Sequence, residues 1–260
     1  MKQSRKTVEE RQRNILNLIR REGEVKVEDV AASFNISAMT VRRDLQYLEE
    51  KQLLQRTHGG AISLEKSRIL NLTSTGSAGV FRDRISKYAA SLIENDDRIF
   101  INGSRTALEI LKYLNGTRVS VYTNNGWAIG EHYPEGVSIL FLGGTMRGRI
   151  MVGDYVMRNL LTMTADKTFI GCAAVYDDGE FQYDIPTEIG INEAMISRTK
   201  SSFYVLADHT KFRRSSDREN LYGSSIFERP CTLITDDQTD PAMLERLREF
   251  GMEIIVVPEQ

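Results

Sequence analysis

Two groups of residues have the types and spacing to do chemistry. The first begins in the stretch IFINGSRTALEI, Ile99 to Ile110. There an apolar run ends in Asn102, Gly103, Ser104, Arg105 and Thr106, and a helix-like segment follows. Glycine lets backbone approach a ligand closely, and the amides that open a helix favour an anion. Three later stretches repeat the theme: Thr123-Asn124-Asn125-Gly126, Gly143-Gly144-Thr145 with Arg147 and Arg149 behind it, and Asp208-His209-Thr210-Lys211. Each offers hydroxyls, amides or cations. Together they suit a polyhydroxylated anion such as a sugar phosphate. The second group is Ser37, Ala38, Met39, Thr40, Arg42 and Arg43, with Arg56 and His58 a short way on. An arginine can grip guanine O6 and N7 with two hydrogen bonds, or hold a phosphate and read no sequence.

Catalysis makes further demands. Moving a proton between adjacent carbons of a sugar needs a general base and a group that stabilises the enediolate oxygen. Asp166, Asp184, Glu188 and Asp208 are candidate carboxylates, and Lys167 and Lys211 candidate electrostatic partners. No compact motif assembles them, so no catalytic residue is assigned. His58, His132 and His209 are too scattered for a zinc site, and no metal is expected. No Walker loop or dinucleotide fingerprint implies a cofactor. Cys172, inside FIGCAAV, reads as a small core residue, and two cysteines make no disulfide framework.

These residues need elements to hold them. From Phe81 onward, apolar runs alternate with amphipathic segments. The runs DRIFIN, VSVYTN, VSILFLGG, KTFIGCAAV, SSFYVLAD, TLITD and EIIVVP read as strands. Helices are expected over 82–95, 105–114, 126–133, 153–163, 187–200 and 240–250. That alternation predicts an α/β fold with a parallel, doubly wound sheet. In such sheets ligands bind beyond the C-terminal strand ends, where all four polar stretches fall. Asn102, Gly103, Ser104, Arg105, Thr106, Thr123, Asn124, Asn125, Gly143, Gly144, Asp208 and Lys211 are therefore the candidate ligand residues.

The first sixty residues follow another pattern. RQRNILNLIRREG carries an apolar stripe that Gly23 ends. Val27, Val30, Ala31 and Phe34 recur at helical spacing, Asn35-Ile36 makes a turn, and Ser37 is a good N-cap for the next helix. LLQRTHGGAISL then reads as a small hairpin around Gly59-Gly60. Helices followed by a hairpin describe a winged helix-turn-helix, which lays its second helix of the turn in the DNA major groove. The overall net charge of −2 argues against a nucleic-acid binder, but residues 1–60 carry 12 Lys+Arg against 9 Asp+Glu. The chain therefore reads as a DNA-binding domain over 1–62, a linker over 63–79, and an α/β domain for effector binding and oligomerisation over 80–260. No apolar run approaches the ~20 residues that span a bilayer, and no signal peptide is visible, so the expected compartment is the cytoplasm.

The string TVRRDL…RTHGGA, Thr40 to Ala61, resembles the N-terminal domain of the DeoR family of bacterial transcription regulators. VYTNN, LFLGG, LADHTKF and, more loosely, EAMISRT are similar to motifs of that family's C-terminal sensor domain. The resemblance implies a winged helix-turn-helix followed by a ribose-5-phosphate-isomerase-like domain. It also implies a repressor of a carbohydrate operon that binds double-stranded operator DNA and a phosphorylated sugar effector. One small domain binds DNA weakly, so a homodimer or homotetramer is expected. Two departures stand out. The family's first loop is commonly Asp-x-Gly-Thr-Thr, whereas this chain has Asn102 near the Asp and Arg105 in place of a small hydroxyl residue. Asn192 stands where a lysine is common. Two roles stay open for Arg105, a phosphate clamp or a solvent-facing helix residue. Two other functions stay open for the chain: a sugar-phosphate isomerase with an attached DNA-binding domain, and a regulator controlled by a protein partner.

Overall fold

A computed structural model describes residues 5–51, 53–57, 59–63, 77–183, 185–218 and 230–259. His58, Asp184 and 64–76 of the expected linker lie outside the described residues. The chain divides into two compact units, Met1–Gly76 and Ser77–Gln260.

The first unit contains α1 (Arg5–Glu22), β1 (Glu24–Lys26), α2 (Val27–Phe34), α3 (Ala38–Glu50), β2 (Leu54–Thr57) and β3 (Gly60–Ser63). Gly23 ends α1 at φ 77° and Asn35 ends α2 at φ 50°, the left-handed conformation that glycine and asparagine adopt most readily. The Ser37 hydroxyl accepts a hydrogen bond from Thr40 N and caps α3. Ile15, Ile19, Val30, Val41 and Leu45 are fully buried in one core. The hairpin β2–β3 is extended by β1, which pairs antiparallel with β3. This third strand is too short to have left a period in the sequence.

The second unit begins with α4 (Ser77–Ala90). It starts five residues before the predicted helix and absorbs the last three residues of the expected linker. Ser63, the linker's first residue, belongs to β3. Then come β4 (Asp97–Ile101), α5 (Arg105–Glu109) continued by a 3-10 turn over Ile110–Tyr113, β5 (Val119–Thr123), β6 (Val137–Phe141), β7 (Thr145–Arg147) and β8 (Ile150–Val152). After these are α6 (Asp154–Thr162), β9 (Ala165–Gly171), β10 (Ala174–Tyr176), β11 (Phe181–Gln182), α7 (Thr187–Ser197) and β12 (Thr199–Leu206). The unit closes with β13 (Phe212–Arg213), β14 (Thr232–Asp236), α8 (Pro241–Glu249) and β15 (Glu253–Val257).

Seven strands form one parallel sheet in the order β15-β14-β12-β9-β4-β5-β6. Alternate residues serve opposite faces. Ile99, Ile101, Phe169, Leu206 and Ile234 pack with Ile85, Ala89, Ala107 and Leu111, from α4, α5 and the turn after it. Phe100 packs with Val156, Leu160 and Met195 from α6 and α7, while Ile170, Val205 and Leu233 meet Leu247 of α8. Helices therefore cover both faces, as a doubly wound sheet requires. The chain order reverses between β4 and β9, which puts the switch-point crevice beside Asn102.

Three sequence expectations change. Residues 126–133 are not a helix: only a 3-10 turn over Gly126–Ala128 forms, and Gly130 follows at φ 81°. KTFIGCAAV splits into β9 and β10, and Cys172 at the break is only half-buried. The segment after Gly144 folds as an antiparallel hairpin, β7–β8, which the sequence reading did not anticipate.

Candidate functional site

In the first unit the front of α3 is open. Met39 is 60% exposed, and Ser37, Arg42 and Arg43 are exposed, whereas Ala38 packs partly against the core and Thr40 is half-buried. The Thr40 and Ser37 hydroxyls are 2.9 Å apart. Arg42 reaches Glu28 only at 3.9 Å, and no ion pair to Arg43 forms among the described residues. Arg56 is exposed on β2, its backbone N–H held by Glu49. The helix itself is anchored from behind. Asp44, 4% exposed at its side chain, accepts from Arg11 Nε at 2.6 Å and Nη2 at 3.1 Å, and from Gln12 at 2.9 Å. No local sequence signal joins residues of α1 to one of α3.

In the second unit the strand ends form a buried polar network. Asn102 Oδ1 accepts from Gly171 N at 3.0 Å and Ser104 N at 3.1 Å. Its Nδ2 donates to Gly171 O at 2.9 Å and to Asn192 Oδ1 at 3.2 Å. One side-chain amide thus imitates a peptide group and extends the β4–β9 ladder across the crevice. Gly171 is required there, because a Cβ would meet Ser104 Oγ at 2.0 Å. Asn125 Nδ2 donates to Asn102 O and Ser104 O, and Thr123 Oγ1 donates to Ile101 O. Ser104 caps α5 by accepting from Ala107 N.

The β7–β8 hairpin closes over this network. Gly126 N donates to Arg149 O, Met151 N to Asn124 O, and Asn124 Nδ2 to Met151 O. Ile150 and the buried Glu188 flank Gly103, where a Cβ would meet Ile150 Cγ1 at 2.7 Å and Glu188 Oε1 at 3.1 Å. Trp127, on the turn after β5, has the guanidinium of Arg149 at 4.7 Å and that of Arg105 at 5.3 Å from its ring centre.

Among the described residues, Asn124 Oδ1 and Arg105 Nη1 are buried here with no hydrogen-bond partner, and Asn192 Nδ2 and Tyr183 Oη face each other without a hydrogen bond of normal geometry. Burial pushes the Tyr183 phenol well above its ordinary range, with Asn192 opposing the shift. An unpaired buried polar group costs ~1–3 kcal/mol, which a ligand hydroxyl or oxyanion can offset.

Two family profiles match the chain. A DeoR-like helix-turn-helix domain matches residues 11–67, and the DeoR C terminal sensor domain matches residues 81–237. The chain belongs to the DeoR family. It is a DNA-binding transcriptional regulator. It is 32% identical to the transcriptional repressor AccR of Agrobacterium fabrum, over 90% of this chain and 91% of that protein. It is 30% identical to the lactose phosphotransferase system repressor of Lactococcus lactis, over 91% and 94%. It is 29% identical to the transcriptional repressor GlcR of Bacillus subtilis, over 96% and 97%. Among solved structures, ribose 5-phosphate isomerase A from Methanocaldococcus jannaschii is 14% identical over 53% of this chain and 56% of that one. The TM-score between them is 0.38.

Within this DeoR-family regulator, Asn102, Gly103, Ser104, Thr123, Asn124 and Asn125 come together as one site, with Arg105 at its rim. Thr106 is buried in α5, where its carbonyl accepts from Ser86. Gly143 and Gly144 adopt φ 74° and 98° in the approach to β7, and Gly144 packs on Val152 and Val156. Asp208 is buried and caps its own 3-10 turn by accepting from Thr210 N. Lys211 closes that turn, its N–H donating to Asp208 O. No hydrogen bond links Asp208 or Lys211 to the Asn102 network among the described residues.

Asp166 and Lys167 stand at the opposite, N-terminal end of β9. Asp166 pairs with Lys200 and accepts from Arg98 N, while Lys167 pairs with Asp97 and Glu94. A separate cavity of about 240 Å³ lies between Arg84, Lys87 and Tyr88 of α4 and Val257-Pro258. It shares no residue with the strand-end network, and Arg84 is already paired with Asp237. No helix among the described residues is long and apolar enough to cross a membrane, and none of their acidic, histidine and cysteine side chains cluster as a metal site.

Proposed function

We propose that this regulator is a cytoplasmic repressor of a carbohydrate transport or metabolism operon, and that a phosphorylated sugar bound at the strand ends controls its grip on operator DNA. The relatives named as repressors, one of them of a lactose phosphotransferase system, support the biological setting. The observation that carries the reading is the buried network around Asn102. It presents unpaired donors and acceptors of the kind that sugar hydroxyls satisfy, beside two arginines suited to a phosphate. The DNA-binding group is Ser37, Ala38, Met39, Thr40, Arg42, Arg43, Arg56 and His58. We take the DNA-binding domain to run to about residue 63, the end of β3, and the effector domain to begin at about 77, the start of α4.

The protein acts as a sensor and not as an isomerase. Asp166 and Lys167 lie at the wrong end of the sheet, and Asp208 is engaged in capping. Effector binding shifts the population of arrangements that match the operator, and a coupling of roughly 1–3 kcal/mol changes DNA affinity about 5- to 150-fold. The test is fluorescence anisotropy with labelled DNA from upstream of the adjoining genes, at one stated salt concentration. A sugar phosphate should weaken binding while its unphosphorylated sugar does not. Turnover of a sugar phosphate by the purified protein, abolished by Glu188→Gln, would overturn the sensor reading.

A further inference from the structure

We propose that Arg105, Trp127 and Arg149 form an anion-binding pincer that receives the effector's phosphate and joins the β7–β8 hairpin to the loop after β4. This inference rests on the sensor reading above and assigns to it a specific set of groups.

Four observations support it. First, the two cations come from different elements. Arg105 opens α5, while Arg149 sits at the tip of the hairpin, and both are seated on one tryptophan ring. Second, their positive charge is poorly compensated. Arg105 Nε is 3.5 Å from Glu109, a carboxylate shared with Lys112 at 3.6 Å, and no ion pair to Arg149 forms among the described residues. Third, Arg105 Nη1 is buried without a hydrogen-bond partner among the described residues. Fourth, other arginine–aromatic pairs in this unit are neutralised. Arg84 over Phe81 pairs with Asp237, and Arg218 over Tyr176 pairs with Asp178 and Glu180. On Trp127, Arg105 shares Glu109 with Lys112 and Arg149 has no carboxylate partner among the described residues; the ring borders the buried Asn102 network through Asn125, whose side chain accepts from Trp127 N.

The physical consequence is a charge-assisted contact on each arm. A phosphate dianion that meets both guanidinium groups accepts charge-assisted hydrogen bonds from each and offsets their like charge. Stacking on Trp127 holds the planar groups in place, so less freedom is lost on binding. Because Arg149 O also accepts from Gly126 N, an anion held there fixes the hairpin against the end of β5. The class of ligand is a phosphate monoester of a polyol, with the ester end at the pincer and the hydroxyl end toward Asn192 and Asn124.

Trp127 is the protein's single tryptophan, so its emission reports this site directly. The full-length protein is titrated with glucose 6-phosphate, fructose 6-phosphate, ribose 5-phosphate and inorganic phosphate, and with the free sugars, by fluorescence and calorimetry in parallel. A phosphate ester that binds by calorimetry should shift or quench Trp127 emission with the same midpoint. Arg149→Ala and Arg105→Ala should each weaken that ester about 10-fold or more, the scale of a lost hydrogen bond to a charged group. Affinity for the free sugar should stay unchanged. Arg149→Lys, which keeps the cation and part of the stacking, should weaken it less and serves if the alanine variant misfolds by circular dichroism. Ester binding that leaves Trp127 silent, or that survives both alanine variants, overturns the pincer while the sensor reading stands. Absence of any phosphate binding to the wild-type protein overturns both.

Discussion

The Asn102 amide donates to Asn192 Oδ1 at 3.2 Å, deep in the crevice where the order of the sheet reverses. These are the two positions where the chain departs from the acidic and basic residues its family resemblance leads one to expect. In this chain the two positions are a contacting pair of neutral amides, where the resemblance implies an acidic and a basic residue. Asn102 is a better partner for Gly171 than an ionised carboxylate, since its amide accepts from the N–H and donates to the C=O together.

This pairing predicts a double-mutant cycle. Asn102→Asp alone places a carboxylate against Gly171 O and a neutral amide, and Asn192→Lys alone buries an ammonium beside Asn102. Each should be strongly destabilising, because an unpaired buried charge is costly. The double variant restores opposite charges, and the two effects should couple by roughly 1–3 kcal/mol in urea unfolding. Losses that simply add would show that the residues do not act as a pair.

Arg43 gives the test of the DNA-binding unit. It is exposed on α3, behind a cap formed by Ser37. Arg43→Ala should weaken operator binding with Trp127 emission and effector titration unchanged. If Arg43 holds a phosphate, the slope of log affinity against log salt should fall by about 1, uniformly across DNA sequences. If it reads guanine, discrimination at one base pair should fall by roughly 1–3 kcal/mol. Operator affinity equal to wild type at fixed salt would remove α3 from the interface.

How far these sites could be read beforehand depended on the distance their signals span. The strands of the main sheet were legible as apolar runs, since a parallel strand is buried on both faces and shows its whole length. The rule that ligands meet the C-terminal strand ends then singles out Asn102, Ser104 and Asn124, and the structure joins Asn102 and Ser104 in one polar network with Asn125, the residue after Asn124. The β7–β8 hairpin was not legible. Its strands, TMR and IMV, are three residues each and show no alternation long enough to register. The false helix over 126–133 came from reading a turn start as a helix start. The Asn125 side chain caps only one 3-10 turn, and Gly130 at φ 81° follows it. Trp127, Arg149, Asn192 and Tyr183 reach the site from separate elements, so no window of sequence contains them together.

Asp44 is the corresponding long-range feature of the first unit. Its carboxylate is tied to Arg11 by two hydrogen bonds and to Gln12 by a third, and the pair is largely removed from solvent. Asp44→Ala removes the two hydrogen bonds that tie Arg11 to α3 and should cost about 1–3 kcal/mol, the scale of hydrogen bonds between charged groups. Circular dichroism should show the N-terminal unit melting earlier, while Trp127, which lies in the other unit, reports an unchanged transition. Operator binding should fall in parallel. A melting profile identical to wild type would mean that the pair contributes nothing to holding α3 on α1.

The last prediction concerns assembly. Among the described residues, β6 ends the sheet and pairs only with β5 in it. Its sequence, VSILF, carries no charge, proline or bulge of the kind that protects an edge strand, and Leu140 and Phe141 are 43% and 36% exposed. Parallel sheets ordinarily have both faces covered. A second copy of the chain at this edge would satisfy both the open backbone groups and the apolar side chains. It would also supply the paired reading helices that a two-fold operator requires, with half-sites about 34 Å apart or a multiple of it. The protein should therefore sediment as a dimer or tetramer, and Leu140→Lys should shift it toward monomer in analytical ultracentrifugation. Operator affinity should drop with the same concentration dependence, because one domain supplies only half of the contacts. Retention of the wild-type oligomer by Leu140→Lys and by Phe141→Lys would place the assembly surface elsewhere on the second unit.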